Sequence, residues 1–353
     1  MTADPILTLG WLILAHLVAD FVIQTTGIVT AKTSRNGGAW RGLLAHGLGV
    51  AICLVPVALA FGVPGLWALI AITLSHVVID RIKIVATHGA EARALTEARR
   101  RHEGRVPAGG LGRAWTPLPA VYFALDQLAH LAVIAVAWAI WLAGQAPTVE
   151  WSTAIGRVLG GRDQAVINEV SLVAVVFLSL LIANTRAGAL FVATLVRPIE
   201  AASGSDEAAQ GAVGGTAATA TAVPAAKSRE AANERTRGWS FRVGPFAGRV
   251  ESDPPPRSPA AAGTDPAGLD RDRSAAPPAQ VGATIGVLER LLIVTLLLVG
   301  ADAAIGFVVA AKTIARFRLL DDRDFAEYYL LGTLASVSVA IVTALAARAA
   351  LPG

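Results

Sequence analysis

The chain has 353 residues, of which 54% are hydrophobic and 16% charged, with a formal net charge of +4. Its mean hydropathy of +0.57 exceeds what a soluble globular chain shows, and several charge-poor stretches of about 20 residues fit a polytopic membrane protein. One cysteine, Cys53, excludes an intramolecular disulfide and a cysteine-built metal centre. The pI of about 9.6 traces to Arg-rich loops, which in such a chain report topology and contact with anionic lipid. Membrane lipid is therefore the expected partner, nucleic acid is not, and protein partners stay undefined.

The expected class is an all-α transmembrane helix bundle of about seven spans with one disordered linker. A first span runs from about Pro5 to Val29; it lacks a basic leader and a cleavage motif and reads as retained. A second covers Ala39 to Gly62, and the uncharged turn Gly62-Val63-Pro64-Gly65 leads into a third, Gly65 to Ala86. A basic loop from Arg93 to Arg113 precedes a fourth span, Pro117 to Leu142. By the positive-inside rule the loops carrying Lys32, Arg35, Arg41 and Arg93–Arg113 are cytoplasmic and the amino terminus faces outward. Residues 1–145 thus form a four-span unit, and residues 146–200 a fifth span or an interfacial helix, interrupted by Asn184-Thr185-Arg186.

From 201 to 282 the composition turns to Ala, Gly, Pro, Ser and Thr without apolar periodicity, which reads as a disordered linker. Residues 283–353 read as a two-span hairpin, Val287–Val309 and Tyr328–Ala347, with Asp302 buried in the first span and in need of a cationic partner. Seven simple spans place Lys312, Arg316 and Arg318 outside, against the positive-inside tendency. Either the fifth stretch does not cross, or this short loop is an exception.

The chemistry concentrates in the first four spans. His16, Asp20 and Gln24 recur every four residues, so one helix face carries all three. His76 and Asp80 repeat the spacing, Asp126 and His130 reverse its order, and His46 stands alone in the second span. At 1.5 Å per residue from the cytoplasmic end, Asp80 and His46 lie about 8 and 10 Å deep, Asp20, Asp126 and His76 about 13–14 Å, and His16 and His130 about 20 Å. Ionisable groups are costly in hydrocarbon, and seven of them in the same half of the bundle imply one shared site.

Four imidazoles and three carboxylates without a thiolate suit Zn, Fe or Mn. His16, Asp20, His46, His76, Asp80, Asp126 and His130 are the candidate ligands, with Asp20, Asp80 or Asp126 as a catalytic base. Gln24 and Gln127 suit supporting or substrate hydrogen bonds, and Lys83, near the interface, suits a phosphate. The plainer reading is that single imidazoles join helices by hydrogen bonds and that Lys83 only snorkels.

In AHLVADFVIQ (Ala15–Gln24), His46, SHVVIDRIK (Ser75–Lys83) and DQLAH (Asp126–His130) the chain resembles a bacterial integral-membrane family, domain of unknown function 3307. The stretches ERLLIVTLLLVG, AIGFVVAAKTIARF and AEYYLLGTLASV resemble the tail of its longer members. The resemblance implies a multi-pass protein of the bacterial inner membrane and carries no activity. A looser similarity is to membrane-bound metal-dependent hydrolases, an analogy of fold and residue type. The function expected is metal-dependent hydrolysis of a lipid-borne or amphiphilic substrate. Ion or proton transport through the same layer is the alternative, with a non-enzymatic assembly or regulatory role as the third. A bis-His haem fits poorly beside three carboxylates.

Overall fold

The computed structural model describes residues 5–34, 38–101, 114–158, 160, 163–199, 238–243, 246–251 and 278–351. The helices up to Val196 and from Pro278 onward belong to one compact unit. Six of its helical runs are long and apolar enough to cross a membrane.

Helix α1 (Pro5–Val18) continues into a wide π turn, Ala19–Ile23, and stops there, six residues short of the expected Val29. Gln24 and Thr25 leave helical geometry, and the Thr25 hydroxyl accepts a bond from the Ile28 amide to start a separate helix, α2 (Thr26–Thr33). Helix α3 (Ala39–Phe61) and helix α4 (Val63–Arg101) follow, joined at Gly62, whose φ of +62° is the left-handed conformation that favours glycine. With 39 residues α4 outruns the expected Ala86; at 1.5 Å per residue it is roughly 58 Å long, about twice the hydrocarbon thickness. The first part of the expected basic loop is therefore helical, and residues 102–113 lie outside the described ones.

Helix α5 (Leu118–Ala137) ends in a second π turn, Trp138–Leu142. After α6 (Val149–Val158), helix α7 (Gln164–Ile182), the π turn Ala183–Ala187 and helix α8 (Gly188–Val196) make one apolar run of 33 residues. This run is long and apolar enough to cross a membrane. Beyond Val196 the Ile199 amide donates to the Ala114 carbonyl at 2.7 Å, and Trp115 Nε1 donates to the Leu195 carbonyl. The end of α8 therefore lies at the basic end, beside the start of α5.

Helix α9 (Pro278–Leu298) runs away from that end, with Ile293, Val294 and Leu297 packed on Leu172, Val176 and Leu180. The expected sixth span breaks at Val299–Ala303 around Gly300, at φ +75°. Asp302, expected in the membrane interior, sits exposed in this turn and needs no buried partner. Helix α10 (Ala304–Ala315) has only 12 residues and turns the chain back, so that Lys312 pairs with Glu289 of α9. Helix α11 (Arg323–Ala350) then runs out again, with Gly332 beside Val196 and Thr343 bonded to Asn184. Lys312 and Arg316 thus return toward the basic end.

In α4 the buried positions Ala68, Ile72, His76, Asp80 and Ile84 recur every four residues, while Leu74, Val78 and Ile82 on another face are more than half exposed. Polar groups inside and large apolar ones outside is the pattern of a helix whose solvent is lipid. Leu12, Leu54, Ile72 and Ile134 pack into an apolar cluster on the far side of the four histidines from the basic end. A small residue lets α2 close the opposite side: a Cβ on Gly42 of α3 would lie 2.3 Å from the Lys32 backbone nitrogen.

Within the stretch expected to be a linker, β1 (Gly238–Val243) and β2 (Phe246–Glu251) pair antiparallel, Gly238 opposite Glu251 and Val243 opposite Phe246. The rest of 201–277 lies outside the described residues. The close approach at Gly42 is testable. Gly42→Val should destabilise the solubilised protein by about 1–3 kcal/mol, read as a lowered thermal midpoint. Gly156→Ala, in α6 with nothing within 4 Å, should leave the midpoint unchanged or raised.

Candidate functional site

Helices α1, α3, α4 and α5 bring their polar residues to one point. His46 Nε2 lies 2.9 Å from His76 Nε2, and both lie 3.2 Å from Asp20 Oδ1. The His76 and His130 rings are 4.0 Å apart between centroids, and the His16 and His130 rings 4.9 Å. His16 Nε2 meets Gln127 Oε1 at 3.2 Å. The Gln127 amide nitrogen donates to Asp126 Oδ2 at 3.0 Å and to Asp20 Oδ2 at 3.4 Å. The four histidines, Asp80 and Asp126 are all buried, and the Asp20 side chain is 7% exposed.

The carboxylates are not left bare. Lys32 Nζ donates to Asp80 Oδ2 at 2.6 Å and to Gln24 Oε1 at 2.9 Å. Lys83 Nζ donates to Asp80 Oδ1 at 2.9 Å and to Asp126 Oδ2 at 2.8 Å. Asp80, at 0% exposure, is thus bridged by two ammonium groups, which offset the cost of burying its charge. Three carboxylates thus share the cluster with two lysines and four imidazoles.

All ten residues expected at the site are brought together or onto its edge. Gln24 meets the others only through Lys32, because the helix that was to carry it along the His16–Asp20 face has ended. Lys83 faces inward as an ion-pair partner, although at 20% side-chain exposure it keeps some access to solvent. Lys32 is the residue the sequence reading missed. It stands twelve residues after Asp20 in what looks like a basic flank, and only Thr25 as a helix-starting residue signals that α2 folds back.

Three sets of ligand atoms each fall within 4.8 Å of one another: Asp20, His46 and His76; His16, His76 and His130; Asp80, Asp126 and His130. An ion about 2.0–2.2 Å from each ligand sets tetrahedral neighbours roughly 3.3–3.6 Å apart, so the 2.9–3.2 Å spacing of the first set needs only a small expansion. In the third set both carboxylates already bind lysine, and an ion would have to displace an ammonium group. His16 Nδ1, His76 Nδ1 and both ring nitrogens of His130 are buried without a hydrogen-bond partner among the described residues. Such orphaned polar atoms are costly in a finished core and fit a centre that binds something.

Residues 8–155 match a family model described as a protein of unknown function (DUF3307). No curated protein and no solved structure gives a match. The matched stretch contains every residue of the cluster, while α9 to α11 lie beyond it.

The bridging of Asp80 predicts a ranking of variants. Asp80→Ala strands two ammonium groups and should cost about 3–5 kcal/mol. Lys32→Met should cost more than Lys83→Met, since the Lys32 side chain is 6% exposed and that of Lys83 20%. Thermal or denaturant unfolding of the solubilised variants measures both.

Proposed function

We propose that Asp20, His46 and His76 hold a divalent ion, Zn, Fe or Mn, and that the protein is a metal-dependent hydrolase of a lipid-borne or amphiphilic substrate. The observation behind this reading is the 2.9–3.2 Å triangle of one carboxylate oxygen and two imidazole nitrogens on three different helices. The mixed N/O donor set without thiolate suits these metals, and Asp20 stands beside the two imidazoles without a lysine bound to it among the described residues. Bound there, such an ion would lower the pKa of a water and polarise a phosphoryl or acyl oxygen.

The remaining residues supply the surroundings. His16 and His130 carry ring nitrogens without a hydrogen bond among the described residues, and Asp126 Oδ1, 3.7 Å from His130 Nδ1, has none there either. Asp126 can therefore take a proton from a water next to the centre, while Lys83 holds its other oxygen. Gln127 bonds His16, Asp20 and Asp126 and orients all three. The apolar cluster of Leu12, Leu54, Ile72 and Ile134 closes one side, so substrate enters from the basic end, which the positive-inside rule assigns to the cytoplasm, with the amino terminus outside.

Transport is the second reading, favoured by the break at Gln24–Thr25 beside Lys32, because discontinuous helices build ion sites in transporters. The same apolar cluster argues against it, since an ion path would have to pass through it.

Elemental analysis of the purified full chain tests the proposal. Roughly one equivalent of Zn, Fe or Mn per chain is expected, falling at least tenfold in His46→Gln and His76→Gln with unchanged gel-filtration behaviour. Equal metal content in folded variants would overturn it. Metal-dependent turnover of a phospholipid analogue supports hydrolysis, and metal-dependent flux into proteoliposomes without turnover supports transport.

A further inference from the structure

The second half of the helical unit holds a buried cation that the His/Asp cluster does not use. Arg290 of α9 is 3% exposed, and its two hydrogen bonds go to neutral acceptors. Nε donates to the Asn184 carbonyl at 2.7 Å and Nη1 to Ser336 Oγ at 3.0 Å. Its acidic neighbour in the chain, Glu289, is taken by Lys312. No carboxylate forms an ion pair with Arg290 among the described residues. An uncompensated guanidinium inside an apolar bundle is expensive, and buried charges are as a rule paired.

Several features keep this group in place. A Cβ on Gly188 would lie 2.9 Å from the Val339 side chain and 3.3 Å from Arg290 Nε, so the absence of a side chain there makes room for the guanidinium. The π turn at Ala183–Ala187 buries Asn184, whose amide nitrogen bonds Thr343 and the Leu180 carbonyl while its own carbonyl receives Arg290. The chain thus spends an irregular turn and a glycine on holding one cation in a fixed orientation.

Arg290 lines a cavity of about 110 Å³ between α8, α9 and α11, and Lys312 and Arg316 line it too. Lys312 Nζ and the Arg316 guanidinium lie 5.6 and 5.9 Å from the Tyr329 ring. The Thr333 and Ser336 hydroxyls add donors, and the rest of the wall is largely apolar, from Val192 and Val196 of α8 to Ile285 of α9. With Glu289 paired to Lys312, the lining carries a surplus of positive charge. A single water needs about 10–15 Å³ of such space, so the cavity takes a small polyatomic anion.

We propose that this cavity binds a phosphoryl group, the headgroup of an anionic amphiphile whose chains lie along the apolar wall. Arg290 makes the fixed, charge-assisted contact from within, and Arg316 closes on the anion from the other side. Basic pockets between membrane helices near the positively charged end are where anionic lipid headgroups meet protein. The site is independent of the metal proposal and lies outside the matched family stretch.

Calorimetric titration of the full chain in neutral detergent tests this with dihexanoyl phosphatidic acid, dihexanoyl phosphatidylcholine and inorganic phosphate. Phosphatidic acid should bind at least tenfold more tightly than phosphatidylcholine, and Arg290→Gln and Arg316→Gln should each weaken it at least tenfold. If Arg290→Gln does not fold, Arg316→Gln decides, since the Arg316 guanidinium, over the Tyr329 ring, forms no ion pair among the described residues. Phosphatidic acid tighter than inorganic phosphate assigns the site to a lipid; equal affinities, both dependent on Arg316, assign it to free phosphate. Equal affinity for phosphatidylcholine, or wild-type affinity in a folded Arg316→Gln variant, would overturn the proposal.

Discussion

A fully buried carboxylate bonded by two lysines organises the amino-terminal half. Asp80 has no access to solvent, and in a low-dielectric interior its charge persists only if opposite charge stands beside it. Lys83 supplies one ammonium from the next turn of the same helix and reaches on to Asp126 of α5. Lys32 supplies the other from α2. The end of α1 at Ile23, the backbone packing of α2 against Gly42 and the inward turn of a lysine from a basic flank together serve that one pairing. These ammonium groups occupy Asp80 and Asp126, and Asp20 is the carboxylate of the three without a lysine bound to it among the described residues, 3.2 Å from His46 and His76.

The division of the bundle along its axis follows from the same economy of burial. On one side of the histidines the four helices close over small and branched apolar residues; on the other lie the lysines and the basic segments. A polar layer with an apolar floor is a one-sided arrangement.

The carboxy-terminal helices repeat the principle with different chemistry. Arg290 is held by carbonyl and hydroxyl acceptors and left without a carboxylate, beside a cavity lined by two further cations. One half of the molecule therefore gathers carboxylates and lysines around imidazoles, and the other gathers cationic side chains around a cavity. Both clusters include a π turn, Ala19–Ile23 and Ala183–Ala187, that carries a polar residue, Asp20 and Asn184, four positions beyond a buried one.

Hydropathy and spacing alone determined the all-α class, the starts of the first four spans and the convergence of His16, Asp20, His46, His76, Asp80, Asp126, His130 and Gln127. A four-residue repeat on a membrane helix fixes a face, and ionisable groups on that face have only the bundle interior to turn to. What the sequence left undecided depends on partners distant in the chain. Lys32 looks like any interfacial lysine until α2 packs on Gly42, and Arg290 looks like a helix-opening charge until Gly188 makes room for it. The break after Leu298 rests on a turn within a stretch that reads as apolar, so the return of Lys312 to the basic end emerged only from the packing of α10 on α9. Which carboxylate stays available beside the imidazoles is a question of charge pairing in three dimensions, and no local pattern encodes it.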